Sequence, residues 1–171
     1  MTALQSILVP VDGSPSSLAA LEHATALAED GNARVDVLHV DAGEELRIGS
    51  TGPLTPDARH ELDETLDAAV ERAKERLGGR VSRRTMSGEP VRTIVETARE
   101  GLYDLIVLGT HGRIGRLHAM LGSVAEGVVR NAPCPVLTVR ELGGGYQSFA
   151  ERRHGRPSLA EPSGARSSVN R

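Results

Sequence analysis

Cysteine, tryptophan, lysine and aromatic residues are almost missing from this 171-residue chain. Cys134 is the only cysteine, so neither a disulfide framework nor a thiol-rich metal site can be built. Aromatics make up 2% with no tryptophan, which removes the stacking platforms that single-strand nucleic-acid binders use. The net charge of −3 gives a nucleic acid no electrostatic footing, and no such partner is expected. Lys74 is the only lysine and lies far from any glycine loop, which rules out the Walker A pattern G-x4-G-K-[S/T]. The dinucleotide pattern G-x-G-x-x-G, the G-x-S-x-G nucleophile elbow and a Ser-Gly-Gly pyrophosphatase loop are missing too. No apolar run approaches the roughly 20 residues of a membrane span, and no membrane partner is expected. The first residues carry no basic segment and Pro10 interrupts Ile7–Val9, so a signal peptide is not expected and the location is read as cytoplasmic. His23, His60, His118 and His154 show no metal-ligand spacing, and no metal site is expected.

What is present is ordinary for a globular domain, with 39% hydrophobic and 25% charged residues. Ile7-Leu8-Val9-Pro10-Val11 reads as a first strand, and Asp12-Gly13-Ser14 closes it. Ser14 before Pro15 suits the cap of a helix whose inner face carries Leu18, Leu21, Ala24 and Ala28, ended by Gly31-Asn32. Val35–Val40 is a second strand, with His39 as a core or strand-end residue. Residues 41–55 lack periodicity and read as a loop at the carboxyl end of that strand. A long charged helix from Pro56 to about Leu77 follows, with Leu62, Leu66, Ala69, Val70 and Ala73 inside. Val81–Met86 is polar and arginine-rich, as at a sheet edge. Pro90 opens a third helix carrying Val91, Ile94, Val95 and Ala98, and Asp104–Leu108 is a buried strand. A last helix over Val124–Arg130 leads to a fifth strand, Pro135–Arg140.

Five strands alternating with four helices predict an α/β fold, a doubly wound five-stranded parallel sheet of order 3-2-1-4-5 with helices on both faces. Its switch point lies between the first and fourth strands, where such sheets bind ligands outside their carboxyl ends. There stands Leu108-Gly109-Thr110-His111-Gly112-Arg113, followed by Gly122-Ser123-Val124 at the start of the last helix. Gly109 and Gly112 permit positive φ and close backbone approach. The helix start adds unpaired amides and a partial positive charge, so this end of the sheet suits an anion, above all phosphate. Arg113, next to Gly112, is the better bidentate phosphate partner than Arg116. Asp12 has two readings, an Asx hydrogen bond closing the turn or a contact to ribose or Mg²⁺. Cys134, between two prolines, reads as structural. No catalytic residue is assigned; Asp12 and His111 are the only candidates for a base.

These residues resemble the universal stress protein family in its ATP-binding, single-domain branch. Ile7–Ser14 is similar to the family's first strand and turn, and Ala132-Pro133-Cys134-Pro135-Val136-Leu137 to the entry into its last strand. Gly109-x2-Gly112-x9-Gly122-Ser123 matches the family's G-x2-G-x9-G-[S/T] signature without gap or substitution. The likeness covers about residues 3 to 141, leaving out the 41–55 loop, and implies an adenine nucleotide alpha-hydrolase-like fold. It implies adenine between Val40 and the strand end at Pro10 and Val11, with Leu108 beneath. Asp12 would lie by the ribose and phosphates, and Gly109, Gly112, Gly122, Ser123 and Val124 around the phosphates; His111 and Arg113, beside Gly112 in the same loop, are further binding candidates. ATP is the implied cofactor, with Mg²⁺ allowed, and the implied role is a regulatory stress-response module with little or no hydrolysis. A slow ATPase and a nucleotide-independent interaction protein are the alternatives. The 41–55 loop is the candidate moving part of such a regulator.

The fifth strand, Val136 to Arg140, reads as an edge whose pairing with a second copy would give a homodimer, as the resemblance also implies. Residues 1–142 are expected to form the domain and 143–171 a flexible basic tail. That tail is rich in Gly, Ser, Pro and Arg, and its five arginines against two glutamates leave −6 on the rest of the chain.

Overall fold

The computed structural model describes residues 4–43, 55–110 and 121–140. Five strands, β1 (Ser6–Val11), β2 (Arg34–Asp41), β3 (Val81–Ser87), β4 (Leu105–Gly109) and β5 (Val136–Val139), form one parallel sheet in the order β3-β2-β1-β4-β5. Between them run α1 (Pro15–Gly31), α2 (Pro56–Leu77), α3 (Pro90–Glu100) and α4 (Ser123–Asn131). The expected fold class and strand order are therefore the observed ones.

Local chemistry explains where the helices start. Pro15, Pro56 and Pro90 each open a helix, where a fixed φ helps and no intrahelical amide partner is lost. Ser14 and Thr55 cap the first two, accepting from Ser17 N at 3.3 Å and Ala58 N at 3.2 Å. Glu89 caps α3, its carboxylate accepting from the amides of Val91 and Arg92 at 3.0 and 2.7 Å. α1 ends on Asn32 in the left-handed conformation, with φ of 55°.

Strand alternation sorts the apolar side chains into two cores. Ile7, Val9 and Val11 of β1 join Val35, Val37 and Val107 beneath α1 and α2. Leu8, Leu38, Ile106 and Leu108 pack on the other face with Ile94 and Ala98 of α3 and Ala125 and Val128 of α4. β1 is buried along its whole length, as the middle strand of a sheet covered on both faces must be.

At the amino-terminal edge of the sheet, β1 and β4 are fastened by Asp104. Its Oδ2 accepts from the Gln5 and Ser6 amides at 3.0 and 2.9 Å and from the Ser6 hydroxyl at 3.0 Å. Those donors, the Gln5 amide foremost, hold its carboxyl below the ordinary value of 3.8. Beside it, the Tyr103 hydroxyl donates to Asp36 at 2.7 Å. Burial first, and then that hydrogen bond, push the Tyr103 phenol up to about 12. On the opposite face Arg83 of β3 clamps Asp63 and Asp67 of α2.

The Asp104 contacts give a stability term with a definite sign. A carboxyl whose pKa is depressed on folding stabilises above the unfolded-state pKa and loses that contribution as pH falls through the folded value. Urea unfolding of Asp104→Ala is expected to show a lower midpoint than wild type at pH 7. The gap narrows once pH drops below about 3.8; a gap constant from pH 7 to 2 would contradict the assignment.

Candidate functional site

The opposite, carboxyl-terminal edge of the sheet is built differently. Ser6 sends its carbonyl to Asp104 N beside β4, whereas Gln5 sends its own to Arg34 N of β2. Alternation along the strand therefore turns the backbone of residues 6, 8 and 10 toward β4, and that of 5, 7, 9 and 11 toward β2. Position 10 is a proline and has no amide proton to donate. Registered pairing of β1 with β4 stops at Leu8 opposite Ile106. On either side the ladders continue, to Val11 opposite His39 and to Gly109 opposite Val139. Registered pairing of β1 with β4 thus ends earlier than that of β1 with β2, while Pro10 and Val11 beyond it stay buried.

Alternation also decides what lines that edge. Pro10 shares a face with Leu8, Leu108 with Ile106, and Val40 with Leu38, so all three lie on the α3/α4 side, where Pro10 and Leu108 are buried and Val40 is half-buried. Val11 belongs to the opposite face, 4% exposed in the core under α1 and α2. Only its backbone belongs to the open edge, because neighbouring strand residues point to opposite faces.

The turn after β1 is held by its own side chains. Asp12 Oδ1 accepts from the Ser14 amide at 3.0 Å and the Ser14 hydroxyl at 2.6 Å, which is the Asx arrangement. The Asp12 amide donates to the Ser17 hydroxyl at 3.3 Å. Gly13 has φ of +78°, and a Cβ there would strike Leu62 of α2. Gly109 departs from expectation. Its φ is not positive, and its role is close approach, because a Cβ would come within 2.7 Å of Ser16 and 2.8 Å of the Ser17 amide. The first turn of α1 lies against the end of β4, and only a glycine leaves room for it.

From β4 the chain passes to α4 through two backbone bonds. Thr110 N donates to Val139 O at 2.9 Å, and Gly122 N donates to Thr110 O at 2.7 Å. Gly122 caps α4 with φ of −71° and ψ of 159°, and among the described residues no side chain caps the helix. Its carbonyl accepts the first helical bond, from Glu126 N at 2.9 Å. The amides of Ser123, Val124 and Ala125 therefore open the helix without intrahelical acceptors, as in any α-helix start. Ser123 and Val124 are exposed there, and Ala125 is buried in the α3/α4 core. The Glu126 carboxylate is drawn one turn along the helix to Arg130, at 2.9 Å.

This edge therefore combines an apolar strip (Pro10, Val40, Leu108) with a helix start that favours negative charge. The first is chemistry for a flat apolar group and the second for phosphate. His111, Gly112 and Arg113, named from the sequence, lie outside the described residues. One contact at this edge was not expected from the sequence: the His39 ring places Nδ1 2.9 Å from the Val11 carbonyl oxygen. The signal was a histidine at the carboxyl end of a strand beside the switch point, which the sequence assigns equally well to the core. Cys134 is half-buried against the α3/α4 core, and its thiol is pushed up chiefly by burial, as in an unreactive structural cysteine. Among the described residues no cluster of His, Cys, Asp and Glu could hold a metal ion, and no helix is long and apolar enough to cross a membrane.

Known proteins share this architecture. The model of the universal stress protein family matches residues 3–140. A universal stress protein of Methanocaldococcus jannaschii is 35% identical over 140 residues, spanning 80% of this chain and 82% of its own length. A universal stress protein solved in complex with cAMP is 29% identical, with a TM-score of 0.63 over 82% of this chain and 99% of its own. The universal stress protein of Archaeoglobus fulgidus, solved in complex with dAMP, is 25% identical, with a TM-score of 0.59 over 81% and 99% of the two chains. Sequence, strand order and relatives agree, and the chain belongs to the universal stress protein family.

Proposed function

We propose that this protein binds ATP at the carboxyl edge between β1 and β4 and acts as a dimeric regulatory module with little or no hydrolysis. The observation that carries the reading is the start of α4 held at the carboxyl end of β4 by the Gly122–Thr110 bond, beside the point where registered pairing of β1 with β4 has ended. The adenine lies against Pro10, Val40 and Leu108, which suits a chain too poor in aromatics to stack a base. The ribose lies by Asp12, and the phosphates meet the amides of Ser123 and Val124 and the Ser123 hydroxyl. By their spacing in the signature, Gly112, Arg113 and His111 complete the phosphate end, with Mg²⁺ as an accompanying ion. Relatives solved with cAMP and dAMP support an adenine nucleotide in this fold.

Micromolar affinity corresponds to about −8 kcal/mol. Hydrogen bonds to a charged group contribute roughly 1.5–3 kcal/mol each, so a few amides and one arginine are sufficient. A regulator needs a ligand that binds its two states unequally. Hydrolysis needs a positioned base and a clamp on the transferred phosphoryl group. Asp12 is instead engaged in closing its own turn. Gly122 has extended dihedrals that a valine adopts without backbone strain, so Gly122→Val is the variant aimed at the phosphate end. Protein denatured directly after purification is expected to release ATP or ADP, identified by chromatography and mass, and Gly122→Val to release none. A wild type that carries no nucleotide and ignores added ATP–Mg²⁺ would end the reading.

Gly109→Ala is expected to act on the fold. Its Cβ meets the first turn of α1, so stability should fall by about 1–3 kcal/mol in urea unfolding, as overpacking does. An unchanged midpoint would show that α1 yields freely at this point.

The dimer uses β5, one of the two sheet edges, where Leu137 is 37% exposed. Analytical ultracentrifugation at micromolar concentration is expected to give a dimer, and Leu137→Asp a monomer. A wild-type monomer would contradict the assembly without touching the nucleotide reading.

A further inference from the structure

The end of β1 is held unequally by its two neighbours. Toward β4 the ladder is interrupted at Pro10, as described above. Toward β2 it runs on to Val11 opposite His39, and there a side chain joins the backbone. The His39 Nδ1 lies 2.9 Å from the Val11 carbonyl oxygen. A carbonyl only accepts, so in this bond Nδ1 carries the proton whether the ring is neutral or charged. By alternation His39 shares the face of Val35 and Val37, opposite Pro10, Val40 and Leu108. It touches the backbone of β1 from behind the apolar strip.

We propose that His39 is a positioning residue for the nucleotide site, an inference that rests on the ATP reading above. Pro10 removes from the end of β1 the bond that would fix it to β4, and the imidazole supplies a substitute from β2. The Val11 carbonyl is the fixed point between Pro10, at the base, and Asp12, at the ribose. Loss of the imidazole bond lets both move while the helix start at Gly122, across the interrupted ladder, stays in place. The damage is therefore confined to the nucleoside end.

That confinement separates positioning from a general loss of structure. Titration calorimetry on the nucleotide-free full chain measures Kd for ATP, ADP and AMP. His39→Leu is expected to weaken all three by the same factor, about tenfold, the value of one hydrogen bond. His39→Asn, whose amide places a donor near the Nδ1 position, is expected to restore binding to within about threefold of wild type. Gly122→Val, at the phosphate end, is expected to weaken ATP far more than AMP. Wild-type affinity in His39→Leu, a loss that grows with the number of phosphates, or failure of asparagine to restore binding would each overturn the proposal. If His39→Leu does not fold, His39→Gln replaces it, since its donor stands one methylene too far out. Equal affinity of the Asn and Gln variants would then overturn the proposal. A wild type that binds none of the three nucleotides refutes the ATP reading itself, whereas a binding wild type with a silent His39 refutes only this inference.

Discussion

The carboxyl edge of this molecule depends on one missing proton. A proline in the central strand of a parallel sheet lacks a ladder donor, and for that reason proline is confined elsewhere to edges, strand starts and bulges. Pro10 lies where β1 faces β4, and registered pairing of those two strands stops short of it while the outer ladders run on. The amino-terminal end compensates, with three donors converging on Asp104 to hold the same two strands together. One pair of strands is thus tied at one end and released at the other. The topology reverses direction at that pair, so the release falls at the switch point, where α/β sheets accept ligands.

The glycines around this edge serve different physical ends, although a signature treats them alike. Gly13 supplies a left-handed backbone and room for Leu62. Gly109 has ordinary dihedrals and exists for the approach of α1, so its value is in packing. Gly122 has dihedrals that suit most residues, so no left-handed backbone calls for it. The pattern G-x2-G-x9-G-[S/T] hides such differences between its glycines.

The fold was legible because its signals are local and repeated. Proline and a capping residue mark the start of three helices, apolar runs mark the inner strands, and right-handed crossovers leave few strand orders, the observed one among them. Pro10, Val11, Val40 and Leu108 were grouped only through the family resemblance, and alternation in the sheet places the Val11 side chain on the other face. The Asx reading of Asp12 could be stated but not chosen, because its hydrogen bonds to Ser14 depend on the turn's path. His39 was illegible in principle. Its partner is a backbone carbonyl 28 residues away, and a carbonyl leaves no trace in residue type.

Because the apolar strip and the helix start belong to different secondary elements, the two ends of a bound nucleotide would be held by parts with different mechanical support. The strip is built into the sheet on β1, β2 and β4. The start of α4 is joined to β4 through the Gly122–Thr110 and Thr110–Val139 bonds, and so also to β5. Filling the phosphate end would load the same backbone path that ends on β5, the strand assigned to the dimer. A ligand shifts an equilibrium only by its unequal affinity for two states, and this path would be a physical route to such a difference. Backbone amides at a helix start can hold an anion, but they offer no lone pair to take a proton from an attacking water.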